Sequence, residues 1–194
     1  MSVAAVAGPI CAYLLGSIPT GVIIARARGI DLQKTGSGNI GATNAARALG
    51  KKVGALVLLF DALKGFAPVF FAARWLPVTP AIVALMGLLA ILGHVFPVWL
   101  RFRGGKGVAT AFGVFLAVAP LAAAVALVTY VIAYLLFRIS SVGSLAGATA
   151  FVVALVLMRP SDPYLFLGGA AWLLIVVSHR ANIRRLLKRE ESKI

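Results

Sequence analysis

The sequence predicts an all-α polytopic membrane protein, one domain over residues 1–194, with seven transmembrane helices and glycine-rich cytoplasmic loops. Three observations predict it. The chain is 61% hydrophobic and only 12% charged, where a soluble domain has about 45–50% apolar and about 25% charged residues. Its mean hydropathy is +1.01. Long apolar runs alternate with short polar segments, too many for one water-soluble core to bury. None shows period-two alternation, so helices rather than barrel strands must cross the hydrocarbon.

The first run, Val3 to Ala25, is long enough to span about 30 Å of hydrocarbon. The N-terminus (MSVAAVAG) carries no basic leader region, so this segment reads as retained. A polar stretch fills residues 26–52. Val53 to Ala73 is the second run, interrupted by Asp61 and Lys64, and Trp75 to Leu100 is the third, holding Pro77, Pro80, His94 and Pro97. Val108 to Phe137 would extend about 45 Å as one helix, too long without marked tilt, and two short helices meeting near Ala119 and Pro120 would also fit. Ile139 to Met158 and Tyr164 to Ser178 complete the set, the last short for a crossing. The tail from Asn182 to Lys193 reads as a short basic amphipathic helix with Ile183, Leu186 and Leu187 toward lipid.

Charge placement sets the number of crossings. Seven spans with the N-terminus outside put sixteen of the nineteen Lys and Arg on the cytoplasmic side, in residues 26–52, residues 101–106, Arg138 and the tail. Only Arg74 and Arg159 fall outside, and Lys64 lies within the membrane. Six spans would divide the basic residues almost evenly, against the positive-inside bias. The same distribution argues against nucleic acid as the reason for the net charge of +14. These are topology charges beside apolar runs. The single cysteine, Cys11, excludes an internal disulfide and a cysteine metal cluster. No H-E-x-x-H or paired-carboxylate pattern supports metal catalysis.

Polar residues gather at that cytoplasmic side. Gly36-Ser37-Gly38-Asn39-Ile40-Gly41 matches a dinucleotide fingerprint formally, but no strand precedes it. What remains is local: glycines allow backbone N–H groups to converge, and Ser37, Asn39, Thr43 and Asn44 add small polar groups. The Ala-rich stretch to Leu49 reads as a helix whose N-terminus favours an anion, and Arg47 offers a phosphate fork. Arg101-Phe102-Arg103-Gly104-Gly105-Lys106-Gly107 is a second basic loop. It puts Lys106 at the N-terminal end of an apolar helix, unfavourable for a cation unless an anion binds there. Ser140, Ser141 and Ser144, then His179 and Asn182, leave their spans at the same level. His94 is a candidate for structural hydrogen bonding there. Asp61 and Lys64, one helical turn apart, should pair or face the bundle interior. Gly143 and Gly147 read as close helix packing.

On these residues the chain resembles the bacterial membrane glycerol-3-phosphate acyltransferases that use acyl phosphate. The match runs through Gly16-Ser17-Ile18-Pro19-Thr20-Gly21, the Gly36–Arg47 segment (GSGNIGATNAAR), Asp61 with Lys64-Gly65, Gly93-His94-Val95-Phe96-Pro97, Phe102–Thr110 (FRGGKGVAT), the serine segment and the His179–Asn182 exit. The resemblance implies a multi-pass protein of the bacterial inner membrane, its N-terminus outside and its C-terminus and active site cytoplasmic. The implied reaction joins an acyl group to the 1-hydroxyl of glycerol 3-phosphate, releasing phosphate, with no cofactor, metal or covalent serine intermediate. It implies Lys106, Ser144, His179 and Asn182 as catalytic residues, with Ser141 open as the alternative serine. Ser37, Gly38, Asn39, Thr43, Asn44, Arg47, Arg103, Gly104, Gly105 and Lys106 are the expected substrate-binding set. The expected partners are the two substrates and membrane lipid, with the protein a monomer. A transporter of a small phosphorylated metabolite is the competing class. It would need the same basic pocket, but the two halves show no evident repeat. A lipid-binding scaffold would leave both glycine-basic loops unexplained.

Overall fold

The computed structural model describes residues 3–158 and 161–193, and in them the chain is helical throughout with no strand. Helix α1 (Val3–Gly16) and α2 (Thr20–Arg26) form one apolar passage broken at residues 17–19. Pro19 has no N–H to continue the ladder, and the Leu15 carbonyl takes the Ile18 N–H instead. After a loop come α3 (Ala42–Leu49), α4 (Lys51–Trp75) and α5 (Pro80–Val95), then a 3-10 turn at Val98–Leu100. The expected division of residues 108–137 is found as α6 (Val108–Val118) and α7 (Pro120–Phe137), parted at Ala119 where Pro120 starts a new first turn. Helix α8 (Ser140–Met158), α9 (Asp162–Ser178) and α10 (Arg180–Leu187) complete the chain.

Among the described residues, five helical stretches are long and apolar enough to cross a membrane: Val3–Arg26, α4, Pro80–Leu100, α7 and α8. A sixth is added if α9 and α10, bent by 57° against each other, count as one span. Helix α6 has eleven residues, reaching only about 16 Å. The chain is thus an all-α, polytopic membrane protein. Leu121, Leu136, Leu157 and Phe166 turn outward on three helices, where a soluble fold would place polar residues and lipid requires apolar ones. The outward placing of Arg159 lies outside the described residues.

Small residues set the helix contacts. Gly65 of α4 lies against the Thr110 backbone of α6, and Gly113 of α6 against the Ala62 backbone of α4, so any side chain would separate the two helices. Gly143 and Gly147 face Tyr130 and Ala126 of α7, as their spacing predicts. The α1–α5 contact uses Gly16 and Gly93 in the same way. Around these contacts Ile91, Val114, Phe115, Leu155 and Leu167 form the main apolar core.

The charged residues inside the second long helix pair, as expected. Lys64 Nζ is 2.8 Å from Asp61 Oδ1, with both side chains under a tenth exposed. Thr20 donates to the same carboxylate oxygen, and Lys64 also donates to the Ile18 carbonyl at 2.8 Å. The pair therefore ties α4 to the break between α1 and α2. His94 of α5 brings Nδ1 to 3.6 Å from Asp61.

The tail departs from the expected helix over residues 182–193. It starts earlier, ends at Leu187 and then reverses through Arg189, whose φ is 60°. Leu187 is exposed, while Ile183 and Leu186 are half-buried. Glu190 donates its N–H to the Arg185 carbonyl, and Arg189 donates to that of Leu186. This left-handed closure satisfies the last helix carbonyls and sends Glu191 back toward the bundle.

Candidate active site

Two loops, the ends of α8 and α9, and α10 converge on one cavity of about 900 Å³. Its polar end is walled by Ser37, Asn39, Thr43, Arg47, Lys106, Ser141, His179 and Asn182. Its apolar part runs among Leu58, Phe112, Phe115, Leu127, Phe151 and Trp172. Asp61 and His94 reach its wall from α4 and α5.

The first loop is shaped by one buried side chain. Asn44 Nδ2 donates to the carbonyls of Leu32, Thr35 and Asn39 at 3.2, 2.9 and 2.8 Å, and its Oδ1 accepts the Ser37 N–H at 3.1 Å. Gly36 has a positive φ, and a Cβ there would strike Asn44 Oδ1. Asn44, expected among the ligand-binding groups, is thus committed to folding the loop. The Asn39 carbonyl belongs to the same knot, and its Oδ1 accepts the Gly41 N–H. Gly38 stands outside the cavity wall and donates its N–H to Thr35. The loop delivers Ser37 and Asn39 to the cavity and leads into α3, which adds Thr43 and, one turn on, Arg47.

The second loop does its work through backbone contacts. Gly104 and Gly105 donate their N–H groups to the Val95 and His94 carbonyls at 3.1 Å each, satisfying the end of α5. A Cβ on Gly105 would overlap the His94 ring. These two glycines, expected around the ligand, lie outside the cavity wall, and so does the exposed Arg103. Their packing places Lys106, and Gly107 at φ 81° turns the chain into α6.

Lys106 Nζ donates to Asn182 Oδ1 at 2.6 Å, joining two elements 76 residues apart. Burial lowers the Lys106 ammonium to about 8; Glu191 opposes the shift, while Arg185 and Arg47 add to it. His179 is buried at the bend between α9 and α10, with Nδ1 at 2.8 Å from the Ile175 carbonyl. A carbonyl only accepts, so Nδ1 carries the proton and Nε2 the lone pair. Burial, and then the Lys106 charge, push His179 down to about 4. The imidazole is neutral at physiological pH.

The serine segment divides. Ser141 donates to Glu191 Oε1 at 2.9 Å, whereas Ser144 donates back to the Ser140 carbonyl of its own helix at 2.9 Å. Ser140 Oγ meets Thr43 Oγ1 at 3.1 Å and the Tyr130 hydroxyl at 3.2 Å, joining α8 to α3 and α7. Three contributors escaped the sequence reading. Arg185 could have been found, since it follows Asn182 by one turn and shares its face. Glu191 and Ser192 return through the reversed tail, which no local pattern announces.

The glycerol-3-phosphate acyltransferase family model matches residues 6–189. The chain is similar to the glycerol-3-phosphate acyltransferase of Myxococcus xanthus, 50% identical over 183 residues, covering 93% of this chain and 95% of that one. It is also similar to that of Anaeromyxobacter dehalogenans strain 2CP-1, 52% identical over 188 residues, covering 94% and 93%. Two crystal structures of PlsY, an integral membrane glycerol 3-phosphate acyltransferase, superpose closely. The glycerol 3-phosphate form gives a TM-score of 0.95 at 41% identity, covering 98% of this chain and 96% of that one. The lysophosphatidic acid form gives 0.93 at 40% identity, covering 98% and 95%.

Proposed function

The chain belongs to the glycerol-3-phosphate acyltransferase family, and from that premise we propose how its residues carry an acyl group from acyl phosphate to glycerol 3-phosphate. The products are 1-acylglycerol 3-phosphate and inorganic phosphate, made at the bacterial inner membrane. One observation carries the reading: a polar end walled by Arg47, Lys106 and Asn182 opens into an apolar cavity inside the bundle. Two anions and one acyl chain need such a site.

Acyl phosphate is already an activated mixed anhydride, so the protein's task is to bring two anions together and orient a hydroxyl. Arg47, with Ser37 and Asn39, holds the phosphate of glycerol 3-phosphate through directed hydrogen bonds. The acyl chain lies along Phe112 and Leu127. Lys106, steadied by Asn182, neutralises charge growing on the carbonyl oxygen and the departing phosphate. The glycerol oxygen forms a bond to the acyl carbon as the bond from that carbon to the phosphate oxygen breaks. The hydroxyl proton passes to a phosphate oxygen. His179 accepts the hydroxyl's hydrogen bond at Nε2 and orients it. Both Ser141 and Ser144 line the cavity; Ser141, whose hydroxyl bonds Glu191 in the charged cluster, is the serine assigned to the phosphate, while Ser144 is bonded along its helix.

The reading includes seven crossings, with the short α6 as the fourth and α9 as the seventh, the N-terminus outside, and the site and tail cytoplasmic. The charge distribution supports it. Residues 1–194 act as one domain.

The test is product formation by purified protein in detergent, without metal or nucleotide, each acyl donor supplied separately. Labelled lysophosphatidic acid from acyl phosphate is expected. Efficient use of acyl-CoA alone would overturn the donor assignment. Carriage of glycerol 3-phosphate into vesicles without acylation would favour the transporter.

A further inference from the structure

The strangest occupant of the polar end is the chain's own carboxylate. Glu191 accepts hydrogen bonds from Ser141 at 2.9 Å, from Asn182, and from Arg185 Nε at 2.6 Å, and its side chain is only 8% exposed. The next residue, Ser192, offers its carbonyl to Arg47 Nη2 at 3.2 Å. An acidic side chain and a backbone oxygen thus engage the cationic and amide groups that a phosphate would use. Arg47, Lys106 and Arg185 are close enough to act on one another electrostatically. Without an anion among them they repel, and Glu191 relieves that repulsion.

We propose that residues 190–192 form a substrate-displaced strap, in which the Glu191 carboxylate holds the anion position until glycerol 3-phosphate takes it. This rests on the acyltransferase reading of the site. Placement of the strap is built into the fold. Arg189 at φ 60° reverses the chain directly after α10, and the Glu190 and Arg189 N–H groups close the helix end. Only a few residues separate Glu191 from Arg185, so the carboxylate is present at high effective concentration. Nothing apolar locks it down, because Glu190 and Ser192 are exposed. A phosphate brings more charge and three acceptor oxygens, and it outcompetes one carboxylate. The strap therefore keeps the cationic end neutralised at rest, sets the apparent affinity for the incoming anion, and makes Arg185 and Ser141 part of the phosphate-binding set.

Two variants release the strap by different means. Glu191→Gln removes the charge and leaves the turn. Arg189→Pro forbids positive φ and leaves Glu191 intact. If the strap is docked about 90% of the time, each variant lowers the KM for glycerol 3-phosphate about tenfold. The inhibition constant for inorganic phosphate falls by the same factor. A KM that is unchanged or raised in both variants overturns the proposal. A fall in kcat at constant KM also overturns it, because Glu191 would then be positioning Asn182 and Arg185. Inorganic phosphate binding, followed by thermal shift in detergent, requires no turnover. If the wild type makes no lysophosphatidic acid, the acyltransferase reading fails, yet tighter phosphate binding by both variants would still support the strap. Equal binding by wild type and variants would reject it.

Discussion

Lys106 Nζ and Asn182 Oδ1 lie 2.6 Å apart, a contact between the loop before α6 and the first turn of α10 that fixes where the site's most buried cation points. The amide oxygen is a neutral acceptor, so it steadies the ammonium without cancelling its charge. That leaves the charge available to an anion, the condition for electrostatic stabilisation of a transition state.

The first prediction concerns that cation. Lys106→Ala should reduce turnover about 10²-fold or more at saturating concentrations of both substrates. Because Lys106 is held at about 8 in the free enzyme, kcat/KM should fall as pH rises through that value and the ammonium is lost. Lys106→Arg, which keeps its charge at every accessible pH, should abolish this alkaline limb whatever its residual rate. A two-substrate kinetic matrix across pH 6–9 checks both. An unchanged limb in the Arg variant would assign it to another group.

Arg47 should behave differently. Arg47→Lys keeps the charge but loses the fork, so the requirement for glycerol 3-phosphate should rise, by about 1.5–3 kcal/mol of lost charge-assisted hydrogen bonding. Turnover at saturation should change far less. A variant whose kcat falls while its KM holds would move Arg47 from binding to the chemical step.

The Asp61–Lys64 pair gives a stability prediction. Lys64→Met alone leaves a buried carboxylate without its cation and should destabilise the protein by about 3–5 kcal/mol. Asp61→Leu combined with Lys64→Met should recover most of that loss, since the pair then vanishes together. Thermal unfolding in detergent compares the three proteins. A single variant as stable as the wild type would show that Thr20 and His94 suffice to hold Asp61.

Topology can be read by labelling. Cys11 is exposed, so the background is Cys11→Ser. Cysteines replacing Lys34 and Lys193 should react from the cytoplasmic side, and one replacing Leu76 from the opposite side. Labelling of residues 76 and 193 from the same side, in active variants, would reject seven crossings.

Much of this molecule is local and therefore legible in its sequence. Hydrophobic run length gives the long helices, and the excessive length of the 108–137 run together with Pro120, which suits a helix's first turn, gives the break between α6 and α7. Gly143 and Gly147 announce a close helix contact by their spacing alone. Asp61 and Lys64 announce their pairing, since neither charge is tolerable singly in hydrocarbon. Ser37, Arg47, Lys106, His179 and Asn182, which the sequence groups at the ends of apolar runs, line one cavity.

Direction within the site was not legible, because it depends on which partner each group finds. Gly104, Gly105 and Asn44 belong to motifs that read as ligand-binding. The structure turns their N–H and amide groups onto the end of α5 and into the loop, where unsatisfied backbone groups would otherwise be buried. Ser141 and Ser144 are indistinguishable in sequence, and only the return of Glu191 separates them. The tail itself reads as a continuing basic helix. Its reversal at Arg189 brings the Glu191 carboxylate to Ser141, Asn182 and Arg185, contacts that no local pattern announces. Sequence alone determined the membrane-spanning class, the helices and the set of polar residues at one face, since these follow from solvation and backbone chemistry residue by residue. Tertiary structure decided which of those residues face the cavity and what fills it, since hydrogen bonds and Coulomb forces act between groups that only the fold brings together.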